Sequence, residues 1–401
     1  MSSTDVRQDW RFWPVVCLAL LYPINNSLIM LAIPLYFFRQ GTDLIIIGFL
    51  VAGITLTYSF SPLIFRNIGD KIGRKSSIII SLLGTLIAQL IFYFTLDPLF
   101  FFISRVTEGF VTGLFWTNLQ SSISDNALLD HKKKLSRYNF GWNTGVLLGF
   151  LTGALVLFFM NDDIKMIFYV APIFIFISLL ISIFFFKESK KVSIESANHL
   201  NREVALNSTN KNWEIEKLYI PVILPILFVV AFSFAKGTIN LLYPIKSEIL
   251  GFAPYTVFLL SFLALIAQLI TTTGSSYLSM NSLKKFSIIS ILVLIIIFII
   301  FGVNSEFIIF AILYLILGFF GGILISFGLK LSVMLNIKKH TSRYSSTIES
   351  SIGITYLIAP IFVAFIADFQ LTLAFFVVAL VFIFFLVIGL IFLKKLEINF
   401  D

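Results

Sequence analysis

LTLAFFVVALVFIFFLVIGLIFL, residues 371–393, holds no charged side chain, and Thr372 is its only hydroxyl. A helix needs about 20 apolar residues to cross a bilayer. The run alternates nowhere, so it does not read as the strand of a barrel, whose segments alternate over about ten residues. Ile288 to Val303 reads the same way. Inside lipid every backbone polar group must be bonded within the protein, which leaves helices as the expected spanning structure.

The composition extends this reading to the whole chain. Of 401 residues, 58% are hydrophobic and 12% charged, and the mean hydropathy is +0.98. Soluble domains carry about 25% charged residues. The apolar residues suffice for roughly ten to twelve spans. A soluble enzyme with one anchor, a disordered chain and a disulfide-built secreted domain are excluded. Cys17 is the single cysteine, so no disulfide forms within the chain. His131, His199 and His340 fall in polar segments, and neither a metal nor a cofactor is expected.

Apolar runs between polar breaks predict twelve spans, at 13–38, 44–65, 76–95, 99–122, 138–160, 165–186, 217–245, 254–273, 286–303, 307–331, 346–367 and 370–393. Residues 1–11 are polar and no small-residue cleavage site follows the first run, which reads as a retained helix. The longest polar segment, 187–216, reads as a linker between bundles at 1–186 and 217–401. Lys and Arg concentrate on cytosolic loops. Here 24 fall on the side of both termini and only Arg39, Lys165 and Lys246 on the other. Both termini are therefore expected in the cytosol, in a plasma-membrane protein. The net charge of +8 follows from topology, and no nucleic-acid partner is expected.

The halves repeat one another. Pro34 matches Pro244, Gly41 matches Gly251 and Lys75 matches Lys285, each 210 residues on. Gly109 and Gly113 match Gly318 and Gly322, and Ser136-Arg137-Tyr138 matches Ser342-Arg343-Tyr344. Parallel six-helix repeats are a plan of secondary transporters, whose substrate binds between the halves near the midplane.

Between the second and third spans stands Arg66-Asn67-Ile68-Gly69-Asp70-Lys71-Ile72-Gly73-Arg74-Lys75. It resembles the loop 2–3 signature of the major facilitator superfamily, Gly-x-x-x-Asp-Arg-x-Gly-Arg-Arg/Lys, with Arg66 in place of the first Gly. Arg105-Val106-Thr107-Glu108-Gly109 resembles that family's Arg-x-x-Gln-Gly, with Glu108 for Gln. The resemblance implies an all-α fold of two pseudo-symmetric six-helix bundles and a cytosolic gate involving Asp70, Gly73, Arg74 and Asp125. Asp70 is expected to end the second helix, where a carboxylate opposes the helix dipole by roughly 0.3–1 kcal/mol. It therefore needs a partner, either Arg74 or the start of the eleventh helix. For Lys71, Arg74 and Lys75 the reading as plain topology determinants stays open.

Charges inside a bilayer cost about 2.5–3.5 kcal/mol each at a helix centre on insertion scales. The few present are therefore the informative residues: Arg105 and Glu108, three apart on one face, Lys236, and Glu349 early in the eleventh span. Asn26 and Asn143 are the repeat partners of Lys236 and Glu349. Asn25, Asn240, Trp116 and Trp142 complete the candidate substrate and proton site. The plainer readings stay open: a self-satisfied Arg105–Glu108 pair, snorkelling of Lys236, Glu349 at the mouth, asparagines as interhelical glue, tryptophans in the core. Gly141, Gly145, Gly149 and Gly153 form a helix-packing stripe without the proline that follows such a stripe in drug/proton antiporters of the family.

No phosphate-binding Gly-x-x-x-x-Gly-Lys-Ser/Thr loop is present, so energy must come from a gradient. The expectation is a monomeric, lipid-embedded, non-enzymatic secondary transporter of a small organic solute, proton-coupled through Glu108 or Glu349. An uncoupled facilitator, a lipid flippase and a membrane sensor are the alternatives. Arg105 and Lys236 would suit an anion, Glu108 and Glu349 a cation.

Overall fold

The computed structural model describes residues 12–65, 68–125, 131–188, 218–338 and 343–398. Within them twelve helices are long and apolar enough to cross a membrane. In the first half they are α1 Trp13–Arg39, α2 Leu44–Ile64, α3 Arg74–Tyr93, α4 Pro98–Ile123, α5 Ser136–Phe159 and α6 Lys165–Phe184. In the second they are α7 Ile223–Ile249, α8 Tyr255–Gly274, α9 Met280–Val303, α10 Phe307–Leu335, α11 Thr347–Phe369 and α12 Leu371–Leu393. Their apolar composition drives them into lipid, and their exposed residues are correspondingly large hydrophobics such as Phe158, Ile308 and Phe384. All but a few residues of the expected linker lie outside the described ones. Its far end departs from expectation: Leu218–Tyr219 (β1) pairs antiparallel with Glu397–Ile398 (β2) instead of opening the seventh helix.

Three helix starts shift. The helix that carries α5 already begins at His131, ahead of the expected 138. α7 begins at Ile223, after the Pro221 break, and runs on to Ile249. α9 starts at Met280, six residues before its apolar run, because Ser279 caps it by accepting the Ser282 N–H at 3.2 Å. Asp70 does not end α2. It lies in a separate helical turn, Ile68–Ile72.

The repeat is visible in the packing. Gly109 and Gly113 of α4 press against Ile54 and Ser61 of α2. Gly318 and Gly322 of α10 press against Ala264 and Thr271 of α8. A β-carbon at any of the four would collide, so the glycines let the two helices of each pair approach closely. Gly41 and Gly251 end α1 and α7 with φ of 72° and 73°, a left-handed backbone that glycine adopts without cost. In α5, Gly141, Gly145 and Gly149 lie against the backbone of α1 at Val16, Leu20 and Ile24, whereas Gly153 meets Phe258 of α8. The stripe therefore builds one half and then reaches the other.

We call the face at which α1 starts and α12 ends the terminal face and the opposite one the distal face. The halves meet chiefly through α1 with α7, α2 with α11 and α5 with α8. At the distal face Arg39 Nε donates to Glu248 Oε2 at 2.7 Å, Phe158 packs edge-on against Tyr255, and Gly48 of α2 abuts Ala364 of α11. Deeper in, Asn240 Nδ2 of α7 donates to Met30 Sδ of α1 at 3.5 Å. The α2–α11 seam runs further, to Ser59 and Gly353.

Candidate functional site

α4 carries Arg105 and Glu108 in its distal half, one turn apart, and both are fully buried. Arg105 Nη1 binds Glu108 Oε2 at 2.5 Å. The other carboxylate oxygen, Oε1, accepts from Gln89 Nε2 of α3 at 3.1 Å. Gln89 and Asn25 of α1 exchange two hydrogen bonds, each of 2.9 Å. Asn25 Nδ2 also donates to the Ala171 carbonyl of α6 at 2.8 Å. One polar network thus ties α1, α3, α4 and α6 at the heart of the first half. Below it the Tyr22 hydroxyl and Thr112 Oγ1 lie 2.5 Å apart, and Thr112 Oγ1 donates to the Glu108 carbonyl at 2.6 Å. Buried polar groups are costly when unpaired, and here the amides absorb nearly every one. The exceptions are Thr85 Oγ1 of α3, which has no partner, and Arg105, whose Nε has none and whose Nη2 reaches Asn26 Oδ1 only at 3.4 Å.

Lys236 of α7 is built differently. It stands mid-helix, so its ammonium does not snorkel to an interface. Its Nζ donates to Gln268 Oε1 of α8 at 2.9 Å and lies 5.7 Å from the Phe232 ring centre. Among the described residues no carboxylate forms an ion pair with it.

The register of α1 against α7 places these groups. Met30 and Asn240 touch across the halves. Asn26 and Lys236 each precede them by four residues, which is one turn on the same helix face. Both helices run from the terminal to the distal face. Asn26 and Lys236 therefore lie along the α1–α7 seam between the halves, one turn to the terminal side of the Met30–Asn240 contact.

The remaining candidates separate from this centre. Trp116 packs edge-on against Tyr22 at 5.4 Å and Phe115 at 4.8 Å, inside an aromatic cluster. Asn143 Nδ2 donates to its own helix at the Asn139 carbonyl, 2.8 Å away. Trp142 is 42% exposed. Glu349 is exposed near the terminal end of α11, whose helix begins at Arg343, within electrostatic range of Tyr58 and Tyr138 from the opposite half. Two residues that complete the site, Gln89 and Gln268, escape a reading that follows charge. Their signal is a single amide within an otherwise apolar run.

At the terminal face Arg74 Nη2 pairs with Asp70 Oδ1 at 2.9 Å, so Arg74 is a partner of Asp70. Arg74 Nη1 reaches Asn118 Oδ1 of α4 at 3.2 Å. Gly73 has φ of 95°, and a β-carbon there would strike the Glu188 carboxylate. That carboxylate accepts the Arg74 N–H at 2.5 Å, capping α3 where a helix N-terminus favours negative charge. Lys75 Nζ in turn donates to the Ile183 carbonyl near the end of α6 at 2.7 Å. These bonds clasp α3 to α6 within one half. α4 extends as helix to Asp125, whose side chain lies outside the described residues.

Lys246, counted from the sequence among the loop charges of the distal side, is instead buried near the end of α7. Its Nζ donates to the Phe301 and Gly302 carbonyls at 2.5 and 2.8 Å. These are unpaired carbonyls at the C-terminus of α9, which a cation satisfies well.

The sequence matches a family described as Major Facilitator Superfamily over residues 15–235. Multidrug resistance protein 2 of Bacillus subtilis is 28% identical over 192 residues, 47% of this chain and 46% of that protein. The class H tetracycline resistance protein of Pasteurella multocida is 30% identical over 157 residues, 39% of this chain and 38% of its own length. The chain thus spans about half or less of these curated relatives. Among solved structures, the nucleoside transporter NupG superposes with a TM-score of 0.70 at 14% identity, covering 96% of this chain and 99% of that one. An inward-facing, unoccupied bacterial homologue of the lysosomal transporter Spinster gives 0.73 at 12% identity, covering 98% and 97%. These likenesses bear on the fold.

Proposed function

The chain belongs to the Major Facilitator Superfamily and is a multi-pass membrane protein, and from this premise we propose that it carries a small organic solute across the membrane by alternating access. The observation that carries the reading is the position of Asn26 and Lys236. They lie along the seam between two repeat-related halves, one turn beyond the contact that joins those halves on the distal side. With the orientation set by the Lys and Arg bias, the terminal face is cytosolic and this conformation is closed to the outside. Breaking Arg39–Glu248 and Met30–Asn240 while the Asp70–Arg74 region docks on the second half would invert access. The names of the relatives, which include multidrug and tetracycline resistance proteins, support transport of an organic solute and leave its direction to experiment.

Glu108 is our assignment for the coupling proton. The groups facing it are Arg105, Gln89 and, close by, the Tyr22 hydroxyl. Protonation would leave Arg105 charged, buried and without its counter-ion, an expensive state. It is relieved when another acceptor reaches Arg105, and this links proton and solute. Uptake into proteoliposomes, with and without an imposed pH gradient, tests the reading on a mixed panel of metabolites and drugs. Glu108→Gln should abolish gradient-driven transport and preserve exchange of solute for itself. Unchanged gradient dependence in that variant assigns the proton elsewhere, or makes the protein an uncoupled facilitator.

A further inference from the structure

Along the α1–α7 seam the unused hydrogen-bonding groups are mostly donors. Both Glu108 oxygens, Asn25 Oδ1 and Gln89 Oε1 already accept hydrogen bonds. Asn26 Oδ1 accepts from Arg105, and Gln268 Oε1 accepts from Lys236. The donors are not used up. An ammonium has three N–H bonds and a primary amide two. Lys236 Nζ gives one to Gln268. Among the described residues Asn26 Nδ2 and Gln268 Nε2 have no acceptor, and Arg105 Nε is buried without one. Charge points the same way. Arg105 is cancelled by Glu108, whereas Lys236 has no counter-ion among the described residues, and Glu349 lies away at the terminal mouth.

An uncompensated cation at the middle of a membrane helix is costly unless it has a function. A solute bringing acceptors and one negative charge would settle both deficits. A cation would add charge to charge, with Asn240 Oδ1 the one amide oxygen along the seam that accepts no bond among the described residues. The half-buried Phe232, against which Lys236 lies, offers an apolar surface to the rest of such a molecule. We propose that the solute is a small organic anion of the carboxylate type, held by Lys236, Asn26 and Gln268, with an apolar body toward Phe232. The inference rests on the transport reading above.

The test needs no identified substrate. In a Cys17→Ala background, Phe232→Cys sets a thiol beside Lys236. Met30→Cys, one turn beyond Asn26, is a second reporter should the first variant fold poorly. Each is treated, from either face of oriented vesicles, with the anionic sulfonatoethyl and the cationic trimethylammonioethyl methanethiosulfonate. One unneutralised charge about 6 Å away should favour the anion by about tenfold or more over its ratio on a free thiol. Lys236→Met should erase the preference and Lys236→Arg keep it. Equal rates, a preference for the cation, or a preference that survives Lys236→Met would overturn the anion assignment and leave the transport reading standing, provided that the thiol reacts from both faces. A thiol that reacts from neither face would overturn the transport reading and the inference with it.

Discussion

In the first half of the molecule the buried charges answer one another. Arg105 and Glu108 share a short ion pair, and Gln89 and Asn25 take up what remains. In the second half, built as a repeat of the first, Lys236 stands at the position of Asn26 with a neutral amide and an aromatic ring for company. The first arrangement fixes the packing of four helices. The second leaves a cation beside the seam without a counter-ion among the described residues.

The sharpest way to break this contrast is to remove one member of the answered pair. Arg105→Ala leaves Glu108 buried and uncompensated, which should cost about 3–5 kcal/mol. Thermal unfolding in detergent reads it. Replacing both residues together, Arg105→Met with Glu108→Leu, should recover most of that loss, because no lone charge is left behind. The cap provided by Lys246 comes next. Lys246→Met strips two charged hydrogen bonds from the end of α9 and should cost about 1–3 kcal/mol, with amide exchange quickened around Phe301 and Gly302. The glue between α1 and α3 is weaker. Asn25→Ala should cost about 1–2 kcal/mol, and in a double-mutant cycle much of it should prove shared with Gln89→Ala. Lys236→Met should have the smallest effect on stability, within about 1 kcal/mol of wild type or slightly above it, since a costly central charge disappears. If Lys236→Met destabilised as much as Arg105→Ala, the two halves would not differ in the way described.

Much of this was legible in the sequence. All twelve spans follow from apolar runs of membrane length, and the Pro34/Pro244 and Gly41/Gly251 correspondences anticipated equivalent helix ends. The start of α9 was not legible, because Met280 to Lys285 are helical yet polar enough to end an apolar run. The Arg105–Glu108 pair could be read from its i, i+3 spacing and from the rule that intramembrane charges need partners. Gln89 and Gln268 could not, since a neutral amide draws no attention until its neighbours from other helices are known. Lys246 shows the same limit. From the sequence it is one more loop cation, and only the packing of α7 against α9 brings it to the carbonyls it caps. The sequence places Asp70 at the end of α2, whereas the helix ends at Ile64 and the chain turns again over Ile68–Ile72, before Gly73.

The claim that most needs testing is that the distal contact opens. Spin labels on Gln40→Cys and Ile249→Cys, exposed beside Arg39 and Glu248, report the separation of α1 and α7 at that face by double electron–electron resonance in a Cys17→Ala background. The account predicts a short-distance population for the closed contact and a longer one that grows when Glu248→Gln removes the ion pair. A single short distance, unmoved by Glu248→Gln, would contradict it.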